Sequence, residues 1–205
     1  MSNLSTTCIL DYGAGNVKSV LNAFSQLTSC IVSNDVNDLN NASHLILPGV
    51  GSFKESMDRI EKNLPVEFLL NLLNDGKPFL GICVGMQVLG TFGIEFVKAD
   101  GLAVIPGSVS KLNSGDLPLP HVGWNNLYTI SDSPITKNID VQDDFYFTHS
   151  FGFTEITSDY VVATTEYGVE FPSIIQKDNI FGVQFHPEKS QKSGVKILSN
   201  FLDLQ

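Results

Sequence analysis

The sequence predicts an α/β fold, with a mostly parallel central sheet flanked by helices and extended by additional antiparallel strands. Three observations lead there. In the first half, short apolar runs alternate with amphipathic stretches, the pattern of strand–helix–strand units whose sheet is covered on both faces. From Val104 to Phe185, short β-rich runs are separated by Gly, Pro and Asn-Asn turns, which reads as antiparallel strands. The 205 residues contain no repeat, low-complexity segment or linker, so 1–205 reads as one domain.

Each element follows from its residues. Thr7–Leu10 (TCIL) is a buried strand. Asp11–Asn16 is a turn, and Asn16 can cap the helix behind it. Val17, Val20, Leu21, Phe24 and Leu27 then recur at helical spacing. Cys30–Ser33 is a second strand, and His44–Leu47 a third that runs into Pro48-Gly49-Val50-Gly51. Phe53 to Leu73 is helical, interrupted near Pro65, where the ring removes a donor and crowds the preceding turn. Phe79–Ile82 is the fourth strand. VSKL, NLYTI, FYFT, YVVATT, SIIQ and IFGVQF form strands appended to the parallel core. Ser190–Leu204 closes as a helix with Val195, Leu198, Phe201 and Leu202 on one face.

Composition excludes several functions. A formal net charge of −10 supplies no basic field for nucleic acid or an anionic membrane. Cys8, Cys30 and Cys83 are odd in number and lack metal-ligand spacing, which argues against a disulfide framework and for a reducing compartment. Met1–Thr7 lacks the pattern of a secretory leader, and no run of eighteen apolar residues exists, so a cytoplasmic protein with no membrane span is expected. No metal is expected, because no His or Cys cluster has ligand spacing. No organic cofactor is expected either, since Gly13-Ala14-Gly15 lacks the third glycine of a dinucleotide fingerprint.

The sharpest chemical signal is Gly81-Ile82-Cys83-Val84-Gly85, between an apolar strand and a helix-compatible run, Met86-Gln87-Val88-Leu89. It is a nucleophile elbow with Cys in place of Ser. The residues two away on either side must be small for the backbone to double back. A helix starting behind the sulfur favours the thiolate, and the Val84 N–H faces a developing oxyanion. Cys8 and Cys30 lack this context and read as a core residue and a strand-edge residue. A thiolate also needs a proton carrier, and that carrier needs an orienter. Of the four histidines, His44 reads as packing in a buried strand. His186, in Gln184-Phe185-His186-Pro187-Glu188, stands two residues from a carboxylate, which on an extended segment projects to the same side. Gly49 and Gly51 follow the third strand at its carboxyl end, where open α/β sheets bind ligands, so the Gly49–Val50 peptide is the candidate second oxyanion donor.

With those residues in place, the chain resembles class I, triad-type glutamine amidotransferases, and within them the glutaminase subunits of imidazole glycerol phosphate synthases. The matching segments include Asp11-Tyr12-Gly13-Ala14-Gly15-Asn16, Leu47-Pro48-Gly49-Val50-Gly51, Gly81–Gln87, Pro120-His121-Val122-Gly123-Trp124-Asn125, Tyr146–Ser150, Ala163–Gly168 and Gln184–Ser190, in the family's order from residue 11 onward. The resemblance implies a flavodoxin-like amidotransferase fold and a triad of Cys83, His186 and Glu188. Gly49, Val50 and Val84 match the oxyanion hole. Gly51 and Gln87 match positions that hold substrate glutamine. Glu95 matches the group that receives its α-amino end, and Ser150 and Phe151 the wall behind its carboxylate. In that family, ammonia passes to a (β/α)₈ barrel partner of a heterodimer in histidine biosynthesis. Asn16, His121, Trp124 and Lys189 match positions at that interface. There is one departure: where the family reads Ser-Glu-Glu after the elbow helix, this chain has Gly93-Ile94-Glu95.

Three alternatives remain at this level. A paralogous glutaminase could serve another synthase, such as one amidating a surface sugar. A peptide or γ-glutamyl hydrolase could use the same elbow and triad in an open cleft. A regulatory subunit on this fold is the third, and it requires a missing triad member, whereas all three are present.

Overall fold

The computed structural model describes residues 6–13 and 16–204. Met1–Ser5 of the leader reading and Ala14-Gly15 of the first turn lie outside the described residues.

The first half follows the predicted alternation. Strand β1 (Thr6–Leu10) leads to helix α1 (Val17–Phe24), β2 (Ser29–Ser33), α2 (Val36–Asn41) and β3 (His44–Gly49). Then come α3 (Phe53–Asn63), α4 (Val66–Asn74), β4 (Phe79–Cys83) and the short α5 (Val84–Gln87). Pro65 stands between α3 and α4, as its ring requires. Helix α2 escapes the apolar pattern because only Leu39 is buried; its polar signal is Asp35, whose side chain accepts from the Asn37 N–H. Asn16 occupies the N-cap position of α1 but makes no side-chain cap bond, contrary to expectation. Leu27 falls beyond the end of α1 and is exposed, so the helix is shorter than its apolar spacing implied.

The second half adds β5 (Phe92–Ile94), β6 (Lys98–Asp100), β7 (Gly107–Lys111), β8 (His121–Asn126) and β9 (Thr129–Ile130). It continues with β10 (Asp144–His149), β11 (Phe151–Ile156), β12 (Val161–Tyr167), β13 (Val169–Lys177), β14 (Ile180–Val183) and α6 (Gln191–Leu202). The main sheet has eight strands in the order β2-β1-β3-β4-β14-β13-β12-β9. The first five are parallel, and β13, β12 and β9 extend them antiparallel. Strand β14, expected among the appended strands, instead pairs parallel with β4 and belongs to the core. Strands β5, β6, β8 and β11 were not legible as separate runs; β5, β6 and β11 join β7 in a four-stranded sheet, while β8 and β10 form an antiparallel pair.

Buried apolar side chains form one cluster running through the main sheet and its helices. Helix α6 buries Gly194, Ile197, Leu198 and Phe201, whereas Val195 is 47% exposed, so the apolar stripe is rotated from the one predicted. The pairing of β3 and β4 places Gly49 opposite Cys83, which brings the two sequence-predicted turns together at the carboxyl edge of the sheet. The strand order reverses direction between β1 and β3, and the site opens next to that switch, over β3, β4 and β14.

Candidate active site

Cys83 ends β4 with φ +55° and ψ −111°, a conformation that non-glycine residues avoid and that turns the chain sharply into α5. The flanking glycines are dictated by contact. A Cβ at Gly85 would lie 1.9 Å from the Leu47 carbonyl oxygen, and one at Gly81 would lie 2.4 Å from the Gly85 carbonyl oxygen. Gly49 has the same cause, since a Cβ there would meet the Gly85 nitrogen at 2.3 Å. Gly49 is therefore packed against the elbow, and its neighbours Val50 and Gly51 line the cavity. Because backbone atoms close this contact, Gly85→Ala is expected to lower stability by about 3 kcal/mol. Urea unfolding measures it, and a midpoint equal to that of the parent would contradict the close approach.

Helix α5 is a single turn, not the longer helix expected through Leu89. Its dipole is correspondingly small. The sulfur is served by side chains instead. His186 follows β14 in a segment pinned from three directions. Its N–H donates to the Tyr146 carbonyl at 2.8 Å. Ser190 Oγ donates to the His186 carbonyl at 2.6 Å, and the Tyr146 N–H donates to Ser190 Oγ at 2.9 Å. Pro187–Lys189 form one 3-10 turn, not the extended segment expected, and this turn swings Glu188 back under the ring. His186 Nδ1 and Glu188 Oε1 stand 2.9 Å apart, with side chains 2% and 1% exposed. His186 Nε2 is buried with no hydrogen bond among the described residues. Burial pushes the imidazole pKa down, but interaction with Cys83 and then Glu188 outweighs it and raises the value to about 9. The sulfur and the carboxylate thus both favour the protonated form of the ring.

A cavity of about 390 Å³ opens over Cys83 and His186, at the small end of small-molecule sites and suited to an amino-acid-sized ligand. Val50, Gly51, Val84, Gln87 and Glu95 line it, and Ser150 and Phe151 form part of its wall. Glu95 Oε2 accepts from the Phe53 N–H at 2.8 Å, so the first turn of α3 fixes the carboxylate at the cavity. Gly93 lies beneath the Phe53 ring, where a Cβ would fall 2.5 Å from a ring carbon. Gly93 thus has a packing cause, nothing in the structure explains Ile94, and the acidic group at Glu95 stays in place.

Residues 8–204 match the class-I glutamine amidotransferase family. The chain belongs to that family. It is 43% identical over 197 residues to the imidazole glycerol phosphate synthase subunit HisH of Methanothermobacter thermautotrophicus, covering 96% of this chain and 97% of the relative. It is likewise 43% identical to the subunit of the same name from Geobacter metallireducens, over 97% of this chain and 98% of the relative. Among solved structures, PurLQS from Thermotoga maritima superposes with a TM-score of 0.75 at 20% identity, over 98% of each chain. A structure described as glutamine amidotransferase gives a TM-score of 0.75 at 15% identity, over 96% of this chain and 97% of the other. These structural likenesses establish the fold.

Other residues of this amidotransferase bear on the site without a sequence signal strong enough to single them out. Tyr12, fully buried, donates its hydroxyl to the Pro48 carbonyl at 2.8 Å and steadies the loop carrying Val50; burial pushes its pKa up to about 12. Pro120, Thr148 and His149 also line the cavity. His149 Nδ1 lies 2.9 Å from the Phe151 carbonyl, so it carries the proton, and burial lowers its pKa to about 4. Its Nε2 then accepts from His121 Nδ1 at 3.3 Å. His121 was expected at a partner interface, yet it is 3% exposed and stacks on Phe147 and Tyr167. It is a core residue behind that face, whereas Trp124 is 47% exposed, Lys189 is exposed and Asn16 is half-buried.

Proposed function

We propose that this amidotransferase is the glutaminase subunit of an imidazole glycerol phosphate synthase, supplying ammonia for histidine biosynthesis. The observation that carries the reading is the meeting of Cys83 and His186 at one amino-acid-sized cavity, with Glu188 2.9 Å behind the imidazole. The names of near-full-length relatives support the choice of acceptor. On this reading, residues 1–205 act as one amidotransferase domain in a heterodimer with a (β/α)₈ barrel synthase subunit. No helix among the described residues is long and apolar enough to cross a membrane, and the proposed place of action is the cytoplasm.

The Cys83 thiolate attacks the carboxamide carbon of glutamine, forming the C–S bond. The negative charge moves to the oxygen, which accepts from the Val84 N–H and the Gly49–Val50 peptide. Imidazolium His186 gives its proton to the nitrogen, the C–N bond breaks, and ammonia leaves. Water, losing a proton to His186, then cleaves the glutamyl thioester and returns the thiolate. Glu95 receives the α-amino group, and Ser150 and Phe151 back the α-carboxylate. Gln87 flanks the carboxamide.

Exposed apolar groups flank the cavity mouth, which supports a partner docked over it: Val50 is 40% exposed, Phe96 next to Glu95 88%, and Val122 near Pro120 57%. Uncoupled hydrolysis would waste glutamine. Weak glutaminase activity is therefore expected from the isolated chain, rising at least about tenfold with the barrel subunit present. Size-exclusion chromatography and coupled glutamate detection test this. No heterodimer and equal rates would remove the reading. Ammonia transfer to a sugar synthase in place of the barrel would instead favour the surface-sugar glutaminase, the alternative raised by the Gly93-Ile94-Glu95 departure.

A further inference from the structure

A polar side chain outside the triad reaches the nucleophile. Gln184, which follows β14, is fully buried, and its Nε2 lies 3.8 Å from Cys83 Sγ. The direction of a buried amide depends on its partners, and here a backbone group decides it. The Phe151 carbonyl can only accept, so Gln87 must turn its Nε2 toward it, at 2.7 Å. The second proton on that nitrogen then points to Gln184 Oε1 at 3.1 Å. With its oxygen occupied, Gln184 presents its nitrogen to the sulfur. The His149 Nδ1–H converges on the same carbonyl at 2.9 Å, which fixes the origin of the relay to the cavity wall. Backbone pinning completes it, since the Gln184 N–H donates to Ser173 O at 2.9 Å.

Resting on the glutaminase reading above, we infer that Gln184 is a hydrogen-bond donor to the nucleophilic sulfur, with Gln87 the positioning residue that aims it. A donor on the anionic form favours that form. With α5 reduced to one turn, the Gln184 amide and the His186 imidazolium take the role that a longer helix dipole would have filled. The relay also gives Gln87 a second task, since both of its amide protons go to protein acceptors and only its oxygen is left for a ligand.

The test reads the thiol itself, so it stands apart from glutaminase activity. Alkylation of Cys83 by iodoacetamide is followed from pH 5 to 10 by mass spectrometry, in the full chain and in Gln184→Met, Gln184→Glu and Gln87→Met. Among the described residues, the charged or titratable groups facing this sulfur are His186 backed by Glu188, Tyr12 beneath the loop, and His149 and Glu95 across the cavity; all are kept in every variant. The expected result is an upward displacement of the alkylation profile by about one pH unit in Gln184→Met, the scale of one charge-assisted hydrogen bond. Gln184→Glu keeps the acceptor for Gln87 and puts a carboxylate oxygen at the sulfur, so its displacement is larger. Gln87→Met gives a smaller one. In Gln184→Met, kcat falls while KM for glutamine stays near that of the parent. Profiles superposing on the parent's in folded Gln184 variants overturn the inference, and either variant suffices if the other does not fold. Loss of the glutaminase reading shows separately, as glutamine hydrolysis that survives Cys83→Ala.

Discussion

Cys83→Ala is expected to abolish glutamine hydrolysis while leaving the fold intact. Alanine removes one buried sulfur from a 4% exposed site and keeps the Cβ that the elbow already accommodates at φ +55°. The contacts that shape the turn are made by Gly81, Gly85 and Gly49 and are untouched. The other thiols cannot substitute. Burial, reinforced by Asp38, pushes the Cys8 thiol up to about 11, and burial raises Cys30; neither lines the cavity. Residues acting as a unit lose nearly everything when the nucleophile goes, so the expected fall is about 10⁴-fold or more. Glutamate release under saturating glutamine measures the loss, and far-UV circular dichroism with urea unfolding measures the fold. Parental turnover in a folded variant would remove Cys83 from the chemistry and take the triad reading with it.

Much of this arrangement was legible because backbone geometry imposes it on composition. The elbow glycines appear in the sequence as Gly-x-Cys-x-Gly because Leu47 and Gly85 carbonyls leave no room for a Cβ. The parallel strands appear as uninterrupted apolar runs because both faces of β1, β3 and β4 are covered. Features set by long-range contacts left weaker marks. Strand β14 looks like the antiparallel runs before it, and only its pairing with β4 brings His186 to the sulfur. His121 sits in a segment resembling an interface, but alternation along β8 turns it inward and Trp124 outward. Gln184 carries no signal of its own, since a polar residue between Val183 and Phe185 gains meaning only when Gln87 and Phe151 arrive from elsewhere in the chain. The rotated stripe of α6 has a similar cause: Ile197 and Val195 are equally apolar, and the sheet beneath selects the former.

Glu188→Gln is the more discriminating test of how the imidazole works. The carboxylate can only accept, so its 2.9 Å contact keeps a proton on His186 Nδ1 and leaves Nε2, which makes no hydrogen bond among the described residues, available on the other edge of the ring. Glutamine is nearly isosteric but can offer an N–H to Nδ1, which moves the ring proton to Nε2 in the neutral form and removes the base. It also removes a negative charge from a side chain 1% exposed. For His186, burial lowers the pKa, and Cys83 and Glu188 together raise it to about 9. Without the carboxylate the value falls, so the protonated ring that the proposed mechanism uses to deliver a proton to ammonia is lost at lower pH. The alkaline limb of kcat/KM is therefore expected to move downward in the variant, and turnover at neutral pH to fall by roughly 10²–10⁴-fold, the range for orienting groups of this kind. Substrate affinity should change little, because Glu188 lies behind His186 and does not line the cavity. A pH–rate profile reads both effects at once. An unmoved alkaline limb with parental turnover would mean that the sulfur alone sets the state of the imidazole, and that Glu188 serves only to pack the 3-10 turn.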